Sequence, residues 1–264
     1  MTLVPIIVIG KKTMKIQLLL LGVAFALTGP PAVAQGSGDR DPRALAALER
    51  MGAALRARQT VNVHADVTAE DALNTGEKLQ YSGVVDIVAR RPNAMKLSMR
   101  MGTSERTLYY DGKTLTMAAP ELQYYASVAA PGTIAEMLRM ADERYGIEVP
   151  LADLFAWGTD PRAAEKLTSA FPAGSERING HSCDHYAMRQ PGVDWQVWIR
   201  QGDNALPCKL VITTRADPSL PQYSATYRWS DEPPPEAGYT YDPPAEAKAI
   251  AMHALDRSKL QPGR

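Results

Sequence analysis

His181-x-Cys183-x-His185 is the pattern in this chain whose residue types and spacing best suit chemistry. On an extended strand alternate residues share a face, and neutral imidazole with thiolate is a good donor set for zinc. At about 3.3 Å per residue the two histidines lie roughly 13 Å apart. Adjacent members could share an ion, all three could not, and a fourth ligand would have to come from elsewhere. Cys183 beside His185 also raises nucleophilic catalysis. No nucleophile elbow, active-site cysteine signature or Gly-rich phosphate loop accompanies them, however, and Asp86, Asp184 and Asp194 have no evident partner. Ordinary strand positions account for these residues, so neither catalytic residue, metal nor cofactor is expected.

The chain has two cysteines, Cys183 and Cys208. In an oxidising compartment that number favours a disulfide. Strand order argues the other way. If 182–190, 193–200 and 206–215 form a meander, a strand separates the two cysteines and holds them roughly 10 Å apart, beyond the Cα separation of about 7 Å that a bridge tolerates. A disulfide between Cys183 and Cys208 is therefore possible but disfavoured.

The elements that position these residues follow from hydrophobic period. Asp41-Pro42 starts a helix, Asp as N-cap and Pro at the first position, with Leu45, Leu48, Met51 and Leu55 at helical spacing. From Thr60 the period is two, through Val61, Val63, Ala65 and Val67. Strands follow over about 79–89, 94–101, 105–110, 114–117 and 122–128, with Asp111-Gly112 as a tight hairpin turn. Thr133-x-x-Glu136 is a capping box. It opens a helix whose apolar face is Ile134, Met137, Leu138, Ala141 and Tyr145, stopped by Gly146. A short helix from Pro150 carries Leu151, Leu154, Phe155 and Trp157, and a third runs from Pro161 to Leu167. Strands return at about 174–179, 182–190, 193–200, 206–215 and 222–230. The fold class is mainly β (α+β): one strongly curved antiparallel sheet with helices held on one side.

The first residues read as an export signal. Lys11, Lys12 and Lys15 precede an apolar run from Ile16 to Leu27, too short to span a bilayer, and Ala32-Val33-Ala34 is a small-x-small cleavage site. Met14 could serve as the start. Residues 1–34 are thus a signal peptide, 35–40 a linker, 41–252 one domain and 253–264 a tail. Cleavage removes three lysines and no acids, leaving 26 Lys+Arg against 29 Asp+Glu, a net charge of −3. That balance excludes a nucleic-acid partner. With no second long apolar run, the product is not an integral membrane protein and is expected in the periplasm.

Aromatic residues and methionines concentrate in the strands. Most are core. The functional reading is a concave sheet face that keeps an apolar cavity, where flexible methionines adapt to acyl chains. Met99, Tyr109, Met117, Tyr186, Trp195 and Val197 are its candidate ligand-binding residues.

Several motifs carry a family resemblance. Arg90-Arg91-Pro92-Asn93, Tyr110-Asp111-Gly112-Lys113-Thr114-Leu115 and Trp195-Gln196-Val197-Trp198-Ile199 followed by Leu206-Pro207 resemble the LolA/LolB-type lipoprotein carriers. Arg144-Tyr145-Gly146-Ile147, Pro150-Leu151-Ala152-Asp153-Leu154 and Cys183-Asp184-His185-Tyr186 look closer to a bacterial family of predicted periplasmic proteins sharing that fold. The resemblance implies an incomplete β-barrel with helices as a lid over an apolar cavity. It implies a non-catalytic carrier of a hydrophobic ligand, an acyl chain, lipid or lipoprotein. Arg91 matches the arginine associated with lid closure and joins the candidate ligand-binding residues. The chain departs from the carriers in its longer 131–167 region and in Thr116-Met117 after the Asp-Gly-Lys turn. The alternative on the same scaffold is a module for an envelope protein partner or stress signal.

Overall fold

The alternation that begins at Thr60 becomes the centre of one twelve-stranded sheet. The computed structural model describes residues 40–73, 75–149, 151–157, 163–231 and 238–255; the expected signal peptide and most of the linker lie outside them. In chain order the strands are β1 (Thr60–Ala72), β2 (Lys78–Arg90), β3 (Ala94–Met101), β4 (Ser104–Tyr110), β5 (Thr114–Ala119) and β6 (Tyr124–Ala129). After the helical region come β7 (Ser169–Ile178), β8 (His181–Gln190), β9 (Val193–Arg200), β10 (Pro207–Thr214), β11 (Gln222–Trp229) and the two-residue β12 (Lys248–Ala249). The chain starts in the middle, meanders outward to β6, and restarts at the far edge with β7. It then meanders back until β11 pairs with β1, giving the order β12-β6-β5-β4-β3-β2-β1-β11-β10-β9-β8-β7. The two ends of that order do not meet, so the barrel is incomplete. Every pairing is antiparallel except β12 on β6, where the returning C-terminal segment runs parallel along the free edge.

Side-chain parity sorts the sheet into two faces. Val61, Val63, Ala65 and Val67 of β1 lie opposite Ala89, Ile87, Val85 and Gly83 of β2, and all but Gly83 belong to the buried core. Curvature is written into the pairing of β2 with β3. A Cβ at Gly83 would stand 2.3 Å from the Arg100 carbonyl oxygen, so only glycine lets β3 approach there.

Helix α1 (Pro42–Ala57) fills the concavity. The Asp41 carboxylate accepts from Arg43 N–H, and the Asp41 N–H donates to the Ala170 carbonyl at 2.8 Å, tying the helix start to β7. Its buried ridge is Ala44, Ala47, Met51 and Leu55, while Leu45 and Leu48 are half-buried flanks. Small residues at the contact let the helix sit close to the sheet. Met51 and Leu55 each contribute about 1.5–3 kcal/mol by burial. In α2 (Ile134–Tyr145) Glu136 N–H bonds the Thr133 hydroxyl, which itself donates to the Glu136 carboxylate at 2.8 Å. The buried face of α2 is Ile134, Met137, Leu138 and Ala141.

Several expected boundaries shift. The short helix is α3, only Asp153–Ala156; of the expected 161–167 helix, a 3-10 turn at Ala163–Lys166 is what the described residues contain. β7 begins at Ser169, five residues before the expected 174, because Pro172 is accommodated on an edge strand through a bulge between Pro172 and Gly174.

Cys183 and Cys208 are bridged, with Cα atoms 6.6 Å apart. The geometric objection fails for two reasons. Cys183 pairs with Arg200, the last residue of β9, so the intervening strand ends beside it. Cys208 is the extra residue of a bulge in β10, between Pro207 opposite Ile199 and Lys209 opposite Trp198. The bulge redirects β10 over the end of β9. Cys183, Trp198, Cys208 and Val211 form a small second core on the convex face.

Candidate functional site

The hairpin turns gathered at one end of the sheet hold the concave face in shape. A Cβ at Gly112, where φ is +89°, would meet Asn93 Nδ2 at 2.9 Å, so the Asp-Gly turn and the Arg-Pro-Asn turn touch. The Tyr110 hydroxyl donates to the Pro131 carbonyl, and Ala130 N–H to the Lys113 carbonyl at 2.8 Å. Burial, with the charges of Glu136 and Asp111 nearby, pushes the Tyr110 phenol up to about 12. The Pro92 carbonyl accepts from Ile134 N–H at 2.8 Å and fixes the start of α2.

Arg91 stands where these turns meet the helices. Its Nη2 reaches the Leu55 carbonyl near the end of α1 at 3.4 Å, and its guanidinium lies 5.3 Å from the ring centre of Phe155 in α3. Burial lowers its pKa, and its Nε is a buried donor with no partner among the described residues. From the opposite half of the sheet Trp195 approaches the same short helix. Its ring stacks on Trp157 with centroids 6.2 Å apart, and its Nε1 is likewise buried and unpartnered. One side chain from each half of the sheet thus meets this segment, Arg91 at Phe155 in α3 and Trp195 at Trp157 just after it.

The concave face beneath is packed. Met137, Leu151, Leu154 and Phe155 are buried in the same cluster as the inward strand residues. Met99 and Met117 share a cleft of about 40 Å³ with Leu97, Leu108, Ile147 and Val149. That is room for about one water, against roughly 300–1,000 Å³ for a ligand pocket. At its rim, partial burial raises the pKa of Glu148, with the Asp142 charge adding to it.

Beyond the helices one row of the concave face is partly exposed. Register places Tyr81, Ala69, Tyr223, Ile212 and Trp195 side by side across β2, β1, β11, β10 and β9. Tyr81 is 42% exposed, and Tyr223, Ile212 and Trp195 are half-buried. Leu79, two residues before Tyr81, is 40% exposed and extends the row. The result is an apolar trough ending against Trp157.

The seven sequence candidates do not form one cavity. Met99 and Met117 line the small cleft, Arg91 and Trp195 flank α3, and Tyr186 and Val197 are buried in the core. Tyr109 is a correction. It pairs with Lys96 and Thr116 and faces the convex side; the inward tyrosine is its neighbour Tyr110, fully buried. The parity of Leu108 and Leu115 carried that information. Tyr81, Tyr223 and Ile212 were missed as site residues because the row emerges only from register between distant strands.

The zinc reading loses its thiolate to the disulfide. His185 stacks on Trp198 with ring centroids 3.9 Å apart and lies 3.0 Å from Gln196 Oε1. Among the described residues no group of three His, Cys, Asp or Glu could hold a metal, and no helix is long and apolar enough to cross a membrane.

A family model described as "Predicted periplasmic protein (DUF2092)" matches residues 44–253. No curated protein matches the chain. Among solved structures, lipoprotein LppX from Mycobacterium tuberculosis is 15% identical, with 72% of this chain and 97% of that one covered and a TM-score of 0.44. MucB of the Pseudomonas aeruginosa MucA/MucB complex is 15% identical, with coverage of 79% and 63% and a TM-score of 0.37. A putative outer membrane lipoprotein-sorting protein domain from Vibrio parahaemolyticus is 8% identical, with coverage of 70% and 92% and a TM-score of 0.33.

Proposed function

Because the chain belongs to the DUF2092 family of predicted periplasmic proteins, we propose that it is a non-catalytic periplasmic carrier for a lipid-like or lipoprotein ligand. The observation that carries this reading is the apolar trough of Tyr81, Tyr223, Ile212 and Trp195, partly exposed on the concave face where the helices stop. An acyl chain entering along that row reaches Trp157 and then α3. Beside α3, Arg91 and Trp195 each hold a buried donor with no partner among the described residues. An ester or carboxylate oxygen of the ligand would satisfy such donors, and displacement of α3 would open the packed interior around Phe155. Arg91 is then the closing latch, and Met99 and Met117 adapt to the chain once the cleft widens.

Displacement of a fluorescent fatty-acid probe tests this. The wild type should bind it saturably, and Ile212→Glu, which puts a charge in the half-buried trough, should weaken binding more than about tenfold. A wild type with no saturable binding would sink the proposal. A second reading rests on the packed interior itself, where Leu154 and Phe155 are 1% and 2% exposed. It makes the trough a docking face for an envelope protein. Its signature is a periplasmic protein partner retained by the wild type and lost in Ile212→Glu, with no bound lipid.

A further inference from the structure

The C-terminal segment builds a second hollow on the opposite side of the sheet from the trough. Lys248 N–H donates to the Gln123 carbonyl and Ile250 N–H to the Tyr125 carbonyl, both at 2.8 Å, which fixes the segment along β6. Tyr241 thereby comes to rest against two outward tyrosines. Its ring centroid is 5.3 Å from that of Tyr109 and 5.2 Å from that of Tyr125, with interplanar angles of 44° and 53°. Beside this cluster opens a cleft of about 290 Å³. Tyr109 and Tyr241 wall it, and Gln123, Thr240, Asp242 and Glu246 stand among its lining residues, all four exposed.

The chemistry of the lining has one sign. The rings of Tyr109 and Tyr241 border it, two carboxylates add negative charge, and no lysine, arginine or histidine is among the described residues that line it. Such a setting repels anions and gives a cation with apolar substituents both ring contact and charge. The chain already uses one of these rings in this way: Lys96 Nζ lies 5.4 Å from the ring centre of Tyr109. Glu246 sits close enough to Tyr241 for its charge to help burial raise that phenol's pKa.

We propose that this cleft beside Tyr109 and Tyr241 binds an organic ammonium group of the choline or ethanolamine type. The site lies on the convex face and does not depend on the carrier reading.

Calorimetric titration of the full chain with choline, and with its neutral carbon isostere 3,3-dimethylbutan-1-ol, tests it. The expected result is saturable choline binding in about the millimolar range, with the isostere about tenfold weaker or undetected. The double variant Asp242→Asn/Glu246→Gln alters only exposed side chains and should keep the wild-type melting temperature while binding choline about fivefold more weakly. Tyr241→Ala should abolish binding. Phosphatidylcholine vesicles in a parallel arm separate a lipid headgroup from a free ammonium compound, and capture of either supports the site. Absence of saturation by choline up to about 50 mM, equal binding of the isostere, or full affinity in the double variant would overturn the proposal.

Discussion

Removing the Cys183–Cys208 bridge tests how the convex face is held together. The two cysteines are 25 residues apart in sequence, 0% and 3% exposed, and packed with Trp198 and Val211. Cross-linking a loop of that length removes about 12 cal/mol/K of entropy from the unfolded chain, which is about 3.5 kcal/mol at 25 °C. Replacement by alanine at both positions avoids burying a hydroxyl without a partner. With a urea slope of about 2.5 kcal/mol/M for a domain of this size, the midpoint should fall by about 1.4 M. Dithiothreitol added to the wild type should produce a similar fall, and neither treatment should change probe binding in the trough, which lies on the other face. A midpoint shift below about 0.4 M would refute the loop-entropy reasoning. Loss of probe binding in a variant that remains folded would refute the separation of the two faces.

Other outcomes follow from the same contacts. Gly83→Ala drives a methyl into the Arg100 carbonyl and should cost on the order of 2–3 kcal/mol in urea unfolding; an unchanged midpoint would mean β3 does not need that close approach. Arg91→Met keeps the stem and removes the guanidinium from Phe155. Hydrogen exchange at Phe155 and Ala156 should quicken about fivefold with little change in global stability, and unchanged protection would rule out a latch. Acid should destabilise the fold. Asp66, Glu70, Asp194 and Asp231 have pKa values lowered by Arg228, Lys78, Arg189 and Arg58 respectively. Because folded values lie below unfolded ones, the stabilisation is complete above about pH 5 and is lost as the pH falls through the folded pKa values. Urea midpoints flat between about pH 5 and pH 2 would contradict this.

Period and punctuation made most of the fold legible. The alternation from Thr60, the Asp111-Gly112 turn and the Thr133 cap each say locally what the structure repeats. Misreadings arose where the deciding contact is distant. In α1 the leucines look like the buried stripe, but close approach to the sheet puts Ala44 and Ala47 inward and leaves Leu45 and Leu48 at the flanks. Tyr109 and Tyr110 are chemically alike, and only strand parity decides which faces the core. The bulge at Cys208 cannot be heard in Leu206-Pro207-Cys208, yet it brings the cysteines within reach. Of the candidate site, Arg91 and Trp195 were visible as motif residues. The trough they border was not, because Tyr81, Tyr223 and Ile212 meet through one pairing of residues about 150 positions apart, Ala69 with Tyr223, and others across a turn.

Native mass spectrometry of the protein, purified from the envelope without detergent, tests the carrier reading most directly. An acyl-lipid mass should be bound to each chain, retained by wild type and lost in Ile212→Glu while the fold persists. A bare wild-type mass, under conditions where a lipoprotein carrier keeps its lipid, would contradict it.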